Sequence, residues 1–141
     1  MPDPALTPIL ALILWSFVIW LWMYATRLPA MQKARIDPQA AAHPGSLAQL
    51  PSSVRRVADN YNHLMEQPTL FYALAVYLHL GERADAANVG LLWAYVGLRV
   101  VHSIVQCTLN LVPARFLLFV VSSLCLFGIA VREGLHLLGI G

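Results

Sequence analysis

ALTPILALILWSFVIWLWMY, residues 5–24, carries no charged side chain. At about 1.5 Å per residue this run reaches roughly 30 Å, the thickness of a bilayer's hydrocarbon core. Three further stretches read the same way. The four expected spans are 5–27, 54–80, 88–108 and 114–137, and they leave little chain for anything else. The composition agrees: 59% of the 141 residues are hydrophobic and 11% are charged, against about 25% charged in a soluble domain. Mean hydropathy is +0.65. Disorder, collagen and an ordinary soluble domain are excluded. The expectation is a single all-α transmembrane domain over 1–141, a four-helix bundle in direct contact with the lipid bilayer. A formal charge of +2 is too small to suggest nucleic-acid binding. Cys107 and Cys125 sit in apolar surroundings and read as small buried hydrophobes, not a disulfide framework.

The first span lacks the basic n-region and small-residue cleavage site of a signal peptide and reads as retained. Residues 27–53 change composition, with Pro29, Pro38, Pro44, Pro51 and Gly45, and read as a loop holding one short helical piece at most. That loop and its flanks carry Arg27, Lys33, Arg35, Arg55 and Arg56, whereas the second loop carries only Arg83, beside Glu82 and Asp85. The positive-inside bias predicts a multi-pass protein with the first loop cytoplasmic and both termini outside. Arg115 then also lies on the cytoplasmic side.

Spans in hydrocarbon must be helices, so polar residues within them need an account. Glu66 lies nine residues beyond Val57, and Arg99 nine before Thr108. Both are about 13 Å from the cytoplasmic end. His63 and His102 sit at about 9 Å, and Asp59 and Gln106 lie nearer the same end. Arg55, Asp59, His63 and Glu66 make one helical stripe, and Arg99, His102, Ser103, Gln106 and Asn110 another. A Glu66–Arg99 pair within one subunit is expected. Alone, that pair reads equally well as a structural clamp. With Arg27, Arg56 and Arg115 at its edge, the constellation reads as a site for an anionic ligand bearing carboxylates.

Other candidates are weaker. His63 and Glu66, at i and i+3, would ligate a metal only with His102 from a second helix. A hydrogen-bonded histidine is the commoner case, and no metal is expected. His79 and His136 near the outer interface and His43 in the loop read as structural. Tyr61, Tyr72, Tyr77 and Tyr95 read as interfacial anchors. No nucleophile elbow, phosphate loop or Cys-x-x-Cys occurs.

NHLMEQPTLFYALA in the second span, GLRVVHSIV in the third and the arginine following Pro113 complete a recognisable pattern. The chain resembles the MAPEG family, the membrane-associated proteins in eicosanoid and glutathione metabolism, over nearly its whole length. The resemblance implies a homotrimer of four-helix bundles, with glutathione as co-substrate between subunits near the cytoplasmic side. It implies a transferase or peroxidase acting on a lipophilic small-molecule electrophile that arrives from the bilayer. By the resemblance, Arg115 is the catalytic residue that holds the glutathione thiol. Arg27, Arg56, Asn62, His63, Glu66, Arg99, His102 and Gln106 are the implied glutathione-binding set. Arg27 matches the arginine ending the first helix, and Arg56 one found in some eicosanoid-forming members. Glu66 matches the glutamate of the second helix, and Arg99 with His102 the Arg-x-x-His of the third.

Three positions depart from the pattern. Asp59 stands where several active members have arginine. His63 stands where the family has asparagine, with Asn62 one place earlier. Gln106 replaces a tyrosine that helps to hold glutathione. Asp59 and Gln106 favour an alternative, a non-catalytic trimeric membrane scaffold or accessory subunit with a relict site.

Overall fold

The computed structural model describes residues 3–36, 39 and 49–140. His43 and most of the loop that holds it lie outside the described residues. Every regular element among the described residues is helical: α1 Leu6–Lys33, α2 Ser52–Leu64, α3 Pro68–Leu80, α4 Ala86–Cys107 and α5 Val112–Leu137. At 28, 22 and 26 residues, α1, α4 and α5 are long and apolar enough to cross a membrane.

One narrow stripe of α1 faces the bundle: Pro8, Leu12, Ser16, Ile19 and Met23, at helical spacing. The rest of its surface is equally apolar, with Phe17 and Leu21 about three-fifths exposed. A helix apolar all round, with most of its surface outside the core, is built for lipid or for other helices. α4 and α5 form an antiparallel hairpin, and α1 and α2 lie along the opposite flank.

Two expected boundaries differ. The first span was expected to end at Arg27, but α1 runs on through Pro29 to Lys33. Proline removes one hydrogen bond, but Met31 is buried against Leu50 and Val54 of the following segment. That packing holds the extra turns in place. Arg27 therefore lies inside the helix.

The second span, expected as one piece over 54–80, is broken. Pro68 has no N–H to give to the carbonyl of Leu64. α2 instead closes with Met65 N–H on Asn62 O (3.0 Å) and Glu66 N–H on His63 O (3.2 Å). The break is fixed from outside. Gln67 donates from Nε2 to Ser123 Oγ of α5 at 2.7 Å. It accepts from Tyr95 Oη of α4 at 3.3 Å. Tyr95, expected as an interfacial anchor, is fully buried and stacks on Phe71 at 5.0 Å.

The end where α4 starts and α5 finishes is closed by a paired polar cluster. Glu133 accepts from Arg83 Nε at 2.8 Å and from Asn88 Nδ2 at 2.8 Å. Asp85 caps α4 by accepting Asn88 N–H at 2.8 Å, and Arg132 Nη2 lies 3.1 Å from its Oδ2. Arg132 and then the Asn88 N–H hold the Asp85 carboxyl below the usual carboxylate range. Asp3 is held low too, first by the Ala5 N–H and then by His79, whose Nδ1 is 2.9 Å from Asp3 Oδ2.

Candidate functional site at the arginine-rich end

The opposite end is built from the finish of α1 and α4, the length of α2 and the start of α5. His63 of α2 stacks on His102 of α4, ring centroids 5.1 Å apart and 12° from parallel. Phe119 of α5 meets His63 edge-on at 5.2 Å. These three helices line an open pocket of about 220 Å³ formed by His63, His102, Gln106, Arg115, Phe116 and Phe119.

The sharp turn into α5 supplies the arginine. Asn110 adopts a left-handed φ of 51°, which asparagine tolerates better than most residues. Its Oδ1 accepts from Arg115 Nη1 at 2.8 Å, which steadies the guanidinium at the pocket wall. Arg115 Nε is buried with no partner among the described residues.

Arg99 is the unusual residue. It is fully buried on α4, and none of its three guanidinium nitrogens has a hydrogen-bond partner among the described residues. The expected pairing with Glu66 is not formed, because the helix break puts Glu66 in the turn after α2, exposed to the outside. Equal depth was read on the assumption of one straight helix. Arg27 and Arg56, on α1 and α2, also each bury an unpartnered Nε. The Nδ1 atoms of His63 and His102 and the Ser103 hydroxyl are in the same condition. The paired cluster at the other end makes the contrast sharp, since native proteins leave few buried polar atoms unsatisfied.

On α4 the stripe of Arg99, His102, Ser103 and Gln106 faces inward, all four buried. On α2 the inward face is not the one expected. Arg55, Asp59 and Glu66 are exposed, and the buried face runs through Val57, Asn60 and Leu64. Both faces have helical spacing, so periodicity alone could not choose between them. Asn60, which the sequence reading missed, donates from Nδ2 to Gln106 Oε1 at 2.8 Å, with both side chains buried.

Of the implied binding set, the pocket brings together His63, His102, Gln106 and Arg115. Arg99 lies one turn from His102 beneath it. Arg27, Arg56, Asn62 and Glu66 do not line it. Phe116 and Phe119, its apolar walls, were not singled out because an aromatic in an apolar span gives no local signal.

The family model described as the MAPEG family matches residues 5–135. No curated protein and no solved structure matched the chain.

Proposed function

Because this chain belongs to the MAPEG family and is an integral membrane protein, we propose that it is a glutathione-dependent transferase or peroxidase acting on lipophilic electrophiles. The observation that carries this reading is Arg99. A guanidinium taken out of water costs several kcal/mol unless an anion meets it. Its three nitrogens have no partner among the described residues. Arg27, Arg56 and Arg115 add further unpaired nitrogens at the same end. A tripeptide with two carboxylates and an ionisable thiol suits such a donor set.

The pocket within one subunit takes the thiol end of glutathione. The rest extends toward a neighbouring subunit in a homotrimer, where the exposed Glu66 and Asn62 would meet it. In this reading α2 and α3 together make a broken fourth crossing, the 27–53 loop is cytoplasmic and both termini are outside.

The chemistry is thiolate formation. A free thiol with a pKa of about 8.5 is only about 3% ionised at pH 7. An arginine that lowers this by about two units gives roughly 75% thiolate, about a 25-fold gain in nucleophile. Its position on the pocket wall and its hydrogen bond to Asn110 support Arg115 for that role. The thiolate then attacks an electrophile that partitions into the bilayer beside the apolar α5 face.

One observation favours the scaffold reading. Gln106 spends its carbonyl on Asn60, so this position is committed to packing α2 against α4. Calorimetric titration of the detergent-purified protein with millimolar glutathione separates the two readings, with the ultraviolet thiolate band followed in parallel. The enzyme reading expects heat of binding and a thiolate band that Arg115→Ala removes. Neither signal in the unmodified protein leaves the scaffold.

A further inference from the structure

Arginine can hold a thiolate but cannot take the proton that makes one, since guanidinium has no acceptor site. The proton either leaves to water or is kept by a base in the pocket. Among its lining residues, Gln106 is an amide whose oxygen already accepts from Asn60, and Val112, Phe116 and Phe119 are apolar. Only His63 and His102 remain.

We propose that the His63–His102 stack is the proton acceptor of this pocket, receiving the S–H proton of a thiol that enters beside Arg115. The proposal rests on the glutathione reading above. Three observations support it. Both rings wall the cavity that Arg115 walls. Both Nδ1 atoms are buried without a partner among the described residues, so no hydrogen bond fixes either ring in one tautomer. The rings lie nearly parallel at 5.1 Å, close enough for a charge on one to be felt by the other.

The charged groups that face the stack are few. Arg99 comes from α4 and Arg115 from α5; Glu66, in the exposed turn after α2, acts on His63 alone. Burial first and the two arginines next oppose a charge on the stack, and Glu66 favours one on His63 only. Two imidazolium rings face to face beside two guanidiniums would repel strongly, so the stack takes one proton and not two. The incoming sulfur supplies both that proton and the negative charge that makes it welcome.

The step balances. The S–H bond breaks, its electron pair stays on sulfur, and an N–H bond forms on an imidazole. When sulfur bonds to the electrophile, the imidazolium returns the proton to the electrophile atom that received the displaced pair. The stack is then neutral again.

Proton counting tests this. The detergent-purified protein is titrated with glutathione in two buffers of different ionisation enthalpy, which gives the protons released per ligand bound. S-methylglutathione, which has no thiol proton, corrects for every other group. The stack predicts a thiolate band with almost no net proton release. The double variant His63→Asn with His102→Asn should release about one proton per thiolate formed. An unmodified protein that forms thiolate and releases a full proton overturns the proposal and leaves the glutathione reading standing. So does a double variant that forms thiolate with no release. An unmodified protein with neither heat nor thiolate overturns both. The unmodified protein alone decides the matter if the double variant does not fold.

Discussion

Arg99 bears a cost that the fold does not require. Its guanidinium is buried without a hydrogen bond among the described residues, and replacing buried charge by apolar bulk of similar volume is often neutral or stabilising by about 1–4 kcal/mol. Arg99→Met should therefore melt at the same temperature as the unmodified protein, or higher, in detergent without ligand. It should also lose the heat of glutathione binding. A sharply lower melting temperature would instead show that Arg99 holds the fold through a partner. Acid stability is set at the other end, by Asp3 and Asp85. Both carboxyls titrate lower in the folded protein than the ordinary value of about 3.9. The folded state thus binds fewer protons than the unfolded state in acid, and stability rises with pH through that window. The contribution is complete above the ordinary carboxylate pKa and is lost as pH falls through the lower folded value. Melting temperature against pH should be flat near neutrality and fall in acid, and Asp85→Asn should flatten part of the acid limb.

The elements explain why one polar stripe was read correctly as far as Gln106, with Asn110 falling in the turn beyond α4, and the other was turned. α4 is a single helix with its inward face set by Arg99, His102, Ser103 and Gln106, so 3.6-residue spacing was enough. On α2 the spacing fitted two faces, and only packing against α4 selected Asn60 over Asp59. The break at Met65–Gln67 was equally hard to see. Proline at 68 permits it, but Gln67 bonded to Ser123 and Tyr95 makes it definite, and those partners are 56 and 28 residues away. The α4–α5 hairpin is locked at its far end by Glu133, which gathers Arg83 and Asn88. Glu133→Gln should lower the melting temperature well beyond the exposed control Glu82→Gln, because it leaves Arg83 and Asn88 short of an anionic acceptor. Equal melting points would show the cluster to be ornamental.

A single chain leaves broad apolar surface, and its arginine-rich end holds buried guanidinium nitrogens with no partner among the described residues. A homotrimer is the expected assembly, and native mass spectrometry across several detergents should find it. Monomer or dimer alone in all of them would remove the shared site. The expected orientation is tested with Cys107 and Cys125 replaced and single cysteines placed at the exposed Gln49 and Glu82. An impermeant thiol reagent added to intact cells should label position 82 and spare position 49. Labelling at 49 alone would invert the topology. Both tests bear on the proposed site, since in a homotrimer the neighbouring subunit would decide whether Glu66 and Asn62 reach a ligand.

The sequence by itself determined the class: an all-helical membrane protein with a polar stripe on its third span and a family pattern over nearly the full length. Hydrophobic runs and their period are local properties, written in consecutive residues, and the bilayer enforces them. Tertiary structure decided the rest. It ran α1 past Arg27, broke the second span at Pro68, turned Glu66 out and left Arg99 unpaired. It also stacked His63 on His102 and spent Gln106 on Asn60. Each of these depends on which side chain lies opposite another across helices, and neither depth nor period specifies rotation about a helix axis or the point at which a proline breaks it.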